Sequence, residues 1–371
     1  MDLGRFELER YFAAYEFSAR YLLGSSDCES LGMAELLAMA DDECGERWQS
    51  LRLGYTESPG LPGLRTGIAS LYEGVAADDV LEIVPEEGIL LTMTALLEPG
   101  DHVIVTWPGY QTLFSLAETI GCEVTYWRPD EKQDWRFDPA AVRSALRPNT
   151  RLIVSNFPHN PTGYLPPRED YEGLLRIAAA AGVTLFSDEM YRWLEQDEER
   201  RLPSAAERYD RAITLCGLSK TFALPGLRLG WLVTRDGDAL ERIAVLKDFT
   251  TICGSAPSEI LGLIAVRNAA RLAQRSRAIV ATNLAVLDDF FERRRELFTW
   301  VRPAAGSIGF ARLHAAEGAL AFCRRLVEEA GVMLGPSSVF GYGDAHARFG
   351  FGRENVPEAV AALDGWLDDR G

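Results

Sequence analysis

From about residue 60 to residue 234 the sequence alternates short apolar, β-branched runs with helical patterns, and few folds accommodate that alternation. Runs at 102–106 (HVIVT), 122–126, 151–156 (RLIVSN), 184–188 (TLFSD), 212–216 (AITLC) and 229–234 (LGWLVT) each have the length of a buried strand. Helical patterns at 64–72, 88–97 and 170–181 precede or separate them. Strands joined through helices pair mostly in parallel, with the helices covering both faces of the sheet. The expectation is a three-layer α/β/α domain. Beyond Pro257 the pattern turns long and helical, at 260–273 and 277–297, then gives short strands near 308–313 and 348–351 and a last helix at 356–368. The reading is a large domain over residues 46–274 and a smaller α+β domain built from 1–45 and 275–371.

Open α/β sheets bind ligands at the carboxyl ends of their strands. Asn156, Asp188 and Lys220 all stand at or just past such ends. Lys220 closes the run Cys216-Gly217-Leu218-Ser219-Lys220, where a small-residue turn can strip it of water, lower its pKa and make it a nucleophile. Arg228, eight residues on, offers a guanidinium fork that matches a phosphate. Taken singly, each of these residues reads equally well as a cap, a turn former or a solvated surface group.

Composition excludes several classes of function. Thirty-eight basic residues against 55 acidic ones give a formal charge of −17, which repels nucleic acid and anionic lipid. No apolar run approaches the roughly 20 residues of a membrane span. The first residues, MDLGRFELERYFAAYEF, are charged and amphipathic and lack the apolar core of a signal peptide. Six scattered cysteines without metal-type spacing read as reduced thiols of a cytoplasmic protein, and four histidines give no basis for a metal site.

The ordered motifs resemble those of the class I/II aminotransferases, the fold type I enzymes that use pyridoxal 5′-phosphate (PLP). Asn156-Phe157-Pro158-His159-Asn160-Pro161-Thr162-Gly163 is similar to that family's Asn-Pro-Thr-Gly loop, and Ser187-Asp188-Glu189-Met190-Tyr191 to its Asp-Glu-x-Tyr segment. The resemblance spans roughly residues 50–355. It implies that Lys220 forms the Schiff base and acts on the substrate Cα–H, and that Asp188 pairs with the pyridinium nitrogen. It implies that Asn160 and Tyr191 hold the phenolic oxygen, with Asn160 also at the substrate, and that Tyr110 stacks on the ring. Arg228 and Ser219 then bind the phosphate, Tyr55 reaches the phosphate of a second subunit, and Arg348 clamps the substrate α-carboxylate. A homodimer with composite sites follows from the part given to Tyr55. The polar stretch 250–257 lines the same interface or is a plain loop before the long helix.

Two departures fall on the phosphate cup. The family's small-residue turn is here Val84-Pro85-Glu86-Glu87-Gly88, in which Pro85 has no N–H and Glu86 brings a negative charge towards a dianion. Gly217 stands where a hydroxyl is common in the family. The expectation is that PLP still binds, using the remaining amides of Glu86 and Glu87, but less tightly than usual. The reaction expected is transamination of an α-amino acid. The alternative is elimination, replacement or cyclisation, because NFPHNPTG, LPGLRLGW and LKDFTT resemble capreomycidine synthase and similar cyclases acting on hydroxylated arginine derivatives. A non-catalytic PLP-binding protein is the remaining alternative. In 25–30 (SSDCES), Asp27 or Glu29 is a candidate partner for a cationic substrate, or a cap.

Overall fold

The computed structural model describes residues 3–370. Seven strands form the main sheet: β1 Val80–Ile83, β2 His102–Thr106, β3 Glu123–Trp127, β4 Thr150–Asn156, β5 Thr184–Asp188, β6 Ala212–Gly217 and β7 Gly230–Val233. Their spatial order is β1-β7-β6-β5-β4-β2-β3. All neighbours from β3 through to β6 pair in parallel, and β7 alone runs against both its neighbours. The six runs read from the sequence are all strands, shifted by a residue or two at their ends. The seventh, β1 (VLEI), went unread because it is only four residues long and Glu82 interrupts its apolar pattern. Glu82 is nevertheless buried, held by Lys247 at 3.4 Å.

β2, β5 and β6 are buried along their whole length, as strands covered on both faces must be. The helix Pro85–Leu96 starts with Pro85 at its first position, where a missing N–H costs nothing, and carries Glu86 and Glu87 in its positive first turn. Pro85 sits on the place where β6 and β7 pair through Gly217 and Gly230. A Cβ on Gly230 would lie 2.7 Å from both Pro85 Cγ and the carbonyl oxygen of Cys216, and one on Gly217 would lie 3.2 Å from Pro85 Cγ. A Cβ on Gly217 would also stand 3.0 Å from Gly230 Cα and 3.1 Å from Leu229 O, so the close pairing with β7 and the pyrrolidine ring together crowd a side chain at 217.

A second, antiparallel sheet has the order β10-β11-β9-β8, from β8 Phe298–Thr299, β9 Ile308–Leu313, β10 Gly335–Pro336 and β11 His346–Gly350. The chain around residues 23–27 crosses the end of β11, where the Gly350 amide donates to Leu23 O at 2.7 Å. Contact is so close that a Cβ on Gly350 would overlap Ser25 O. That crossing carries Gly24 and Ser26 into the space between the two sheets. The 25-residue helix Ala269–Arg293 packs against the closing helix Val356–Asp368. Among the described residues, no helix is long and apolar enough to cross a membrane.

Candidate active site

Only three of the chain's 38 basic residues are lysines: Lys132, Lys220 and Lys247. Lys132 is exposed, and Lys247 is buried against the carboxylate of Glu82. Lys220 differs from both. Its Nζ donates to the neutral Ser26 Oγ at 2.9 Å, and no carboxylate lies within ion-pair distance among the described residues. Burial pushes its pKa down; Asp27 and Glu9 oppose that, and Arg348 adds to it. A lowered pKa makes more of the amine available unprotonated, as a base and nucleophile.

Asp188 ends β5, opposite Asn156 in the register with β4. Asn156 braces the two strand ends, its Nδ2 donating to Asp188 O at 3.1 Å and its Oδ1 accepting from the Asn160 amide at 2.8 Å. Burial pushes the Asp188 carboxyl up to about 7, against the Met190 amide that donates to it at 3.1 Å. Such a carboxyl lacks a cationic partner, and a protonated ring nitrogen is one. Burial likewise pushes the Tyr191 phenol up to about 12. Its hydroxyl is buried without a hydrogen bond of good geometry, with Ser26 as its polar neighbour. His159 is fully buried between Thr162 Oγ1 and Pro108 O, each at 2.8 Å, and burial pushes its pKa down to about 3. It is a neutral strut that ties the Asn160 loop to the loop bearing Tyr110.

Arg348 lies on β11 and is only 1% exposed. Its Nε and Nη2 donate to Gly24 O at 3.1 and 2.8 Å, and its Nη1 donates to Asn160 Oδ1 at 3.2 Å. Phe340 and Phe12 lie 5.0 and 5.6 Å from its central carbon. A guanidinium has five N–H groups. Three are engaged, which leaves two to bind a carboxylate. Because Asn160 accepts through Oδ1, its Nδ2 remains able to donate to another group.

The phosphate end is more open. A cleft of about 750 Å³ is lined by Tyr55, Val84, Arg228, Thr251, Gly254 and Ser255, among others; Lys220 and Asp188 are not in its lining. Arg228 is exposed, donates to Pro225 O at 3.1 Å and has a left-handed backbone (φ 49°), a conformation that costs energy in a residue with a side chain. The Ser219 hydroxyl is buried with no hydrogen-bond partner among the described residues. The amides of Glu86 and Glu87, in the first turn of their helix, have no intrahelical acceptor. Tyr110 donates to Glu9 Oε1 at 3.4 Å and packs on Phe6. PLP fits this set: the orphaned hydroxyls of Ser219 and Tyr191, the free amides and Arg228 match its phosphate and phenolic oxygen.

Two acidic side chains singled out in the sequence are held by backbone amides. The Glu87 carboxylate accepts from the Thr251 amide at 3.2 Å and from the hydroxyls of Thr250 and Thr251, so its side chain holds that turn and only its amide faces the phosphate end. Glu29 accepts from the Glu354 amide at 3.1 Å; Asp27, not Glu29, is the acid of its segment among the leading charges acting on Lys220. Asp27 itself is paired to Arg353 at 2.8 Å. Sequence reasoning gave no role to Gly24, His159 or Phe12. Gly24 acts only through a carbonyl, which no side-chain motif reveals.

A lysine just past a strand end of a seven-stranded α/β/α sheet, in one region with a buried carboxyl and a buried arginine that keeps free N–H groups, is an arrangement that suits a PLP-dependent enzyme of the aminotransferase fold. The family model for aminotransferase class I and II matches residues 23–363, and the chain belongs to that family. It is 28% identical over 371 residues to capreomycidine synthase of Streptomyces vinaceus, covering 96% of this chain and 92% of the relative. It is 29% identical over 343 residues to valine–pyruvate aminotransferase of Mycobacterium tuberculosis, covering 85% and 84%. A crystal structure of a PLP-dependent aminotransferase from Streptococcus suis superposes with a TM-score of 0.93 at 32% identity, covering 100% of this chain and 99% of that one. The PLP-dependent cyclase OrfR superposes with a TM-score of 0.91 at 29% identity, covering 99% and 98%. The cofactor is PLP, as for these relatives.

Proposed function

We propose that the chain is an aminotransferase that binds PLP through Lys220 and removes the Cα proton of an α-amino acid with the same amine. The observation that carries this is the presence together of a half-buried amine without an ion pair and Arg348, whose two remaining N–H groups suit the α-carboxylate of a substrate. PLP, when bound, supplies the sink for the electron pair released at Cα. Ser26 Oγ fixes the direction of Lys220 Nζ, which takes the proton and returns it. Asp188 would keep a proton on the pyridine nitrogen of PLP, and Asn160 and Tyr191 would donate to its phenolic oxygen. Ser219, Arg228 and the first-turn amides would hold its phosphate.

The same reading makes the enzyme a cytoplasmic homodimer. Tyr55 is 92% exposed at the mouth of the phosphate cleft, and Leu53, Phe249 and Ile252 are exposed large apolar groups on segments that line or adjoin it. A second subunit covering them would let Tyr55 reach a phosphate that is not its own. Residues 46–274 then form the domain that holds the cofactor, and 1–45 with 275–371 the one that brings Arg348.

A second reading, elimination or cyclisation of a substrate with a cationic side chain, is favoured by the acids Glu9 and Asp27, whose charge acts on both Lys220 and Arg348, and by Glu16 beside them. Incubation with single amino acids and a 2-oxo acid acceptor, followed by mass spectrometry, separates the two. Amino transfer yields a new amino acid from the acceptor. Loss of water or ammonia from an arginine derivative, without transfer, replaces the first reading with the second.

A further inference from the structure

Two donors common in a PLP phosphate site are missing here: Pro85 has no N–H, and Gly217 has no hydroxyl. In the same place the chain supplies Glu86, at the second position of the helix Pro85–Leu96. As a carboxylate, Glu86 would repel the phosphate that the helix N-terminus attracts. It has hydroxyl donors but no paired cation among the described residues. Thr112 Oγ1 donates to Glu86 Oε1, and the Tyr110 hydroxyl is close by. The charged and titratable groups acting on it are Glu9 from the helix Glu7–Tyr15, Tyr110 after β2, Arg228 before β7 and Asp188 at the end of β5. Among the described residues none forms an ion pair with it; the one cation, Arg228, is exposed and donates to Pro225 O.

We propose that Glu86 serves the cofactor site as an uncharged carboxylic acid whose O–H donates to the phosphate of bound PLP, in place of the donors that Pro85 and Gly217 cannot supply. A protonated carboxyl has one O–H donor and keeps an acceptor for Thr112. Burial favours this form and raises the Glu86 pKa, with Glu9 adding to the effect and Thr112, Tyr110 and Arg228 opposing it. A bound dianion favours it further. The inference rests on the phosphate lying at this helix N-terminus, as the cofactor reading has it.

The test is PLP affinity of the apo-protein, followed by absorbance or protein fluorescence, for wild type and Glu86→Gln from about pH 6 to about pH 9. Gln resembles the protonated acid and cannot ionise. Titrations of PLP and Lys220 are common to both proteins and cancel in the ratio of their affinities. The ratio should be near one at the acid end. With rising pH, wild type should then weaken relative to the variant, by up to tenfold per unit between the pKa of Glu86 in the apo-protein and its higher pKa in the complex, and level off above that. A ratio constant with pH, or a wild type that gains on the variant as pH rises, overturns the proposal. Thr112→Val supplies a second variant. Removing a hydroxyl that favours the ionised acid should move the loss of affinity to higher pH, and a move to lower pH or none contradicts the proposal. In the infrared, the carbonyl stretch of a protonated carboxyl should be present in the PLP-bound wild type and missing from Glu86→Gln. Failure of wild type to bind PLP at every pH would overturn the cofactor reading as well.

Discussion

At the scale of single residues, the site works by withholding partners. Lys220 has a hydroxyl where an ion pair would have kept it protonated, and Asp188 forms no ion pair among the described residues, Lys220 acting on it only at longer range. The folded pKa of Asp188, about 7, lies above the ordinary aspartate value of 3.8. Its contribution to apo-protein stability is therefore full below about pH 4 and is lost as pH rises through about 7, on the order of 4 kcal/mol as an upper bound. Asp188→Asn should flatten the fall in apo-protein stability across that window, measured by urea unfolding; Glu259, also pushed to about 7, accounts for part of the slope that remains. An Asn variant with the wild-type slope would contradict the assignment. Arg348→Lys removes the fork but keeps the charge. It should raise KM for the amino acid about 10- to 100-fold, with a smaller change in kcat, as steady-state kinetics would register. Lys220, Asp188, Asn160 and Arg348 were all legible in the sequence because their roles belong to side chains in ordered motifs. Gly24, which fixes Arg348, was not, because a carbonyl has no residue signature.

At the scale of elements, the strands of the main sheet were readable wherever burial on both faces made a continuous apolar run. β1 was lost because a buried Glu82–Lys247 pair breaks such a run, and that pair joins residues 165 positions apart. The reversed direction of β7 was equally hidden, since antiparallel pairing leaves no mark on a four-residue strand. The phosphate cup gave the more instructive result. Read along the chain, Pro85 and Gly217 were two independent departures. In the fold they are one contact, Pro85 seated on the Gly217–Gly230 pair. Gly217→Ser, which restores the family's hydroxyl, should therefore lower stability by about 1–3 kcal/mol through overpacking, measured by chemical denaturation. A variant as stable as wild type would show that the helix Pro85–Leu96 can shift to make room.

At the scale of the molecule, the acidic surface and the exposed apolar groups around the phosphate cleft lead in different directions. Net charge of −17 keeps unlike anions away. Tyr55, Leu53 and Phe249, the last 84% exposed, are the contact area that the proposed homodimer would use. Phe249→Glu should shift the sedimentation of the protein towards the monomer and weaken PLP binding with it, as Tyr55 loses the neighbouring site. A variant that stays dimeric and binds PLP normally places the interface elsewhere. In the sequence the proposal of a homodimer rests only on the resemblance carried by Tyr55, because an exposed aromatic is not distinguishable from a buried one by pattern alone.

The central claim is that Lys220 carries the cofactor, and the scarcity of lysine makes it open to a direct test. Reduction of the PLP-loaded enzyme with borohydride, digestion with trypsin and mass spectrometry should find the phosphopyridoxyl label on the peptide spanning residues 212–228, which stays uncut at a modified Lys220. Label on Lys132 or Lys247, or a reduced protein without label, would contradict the account.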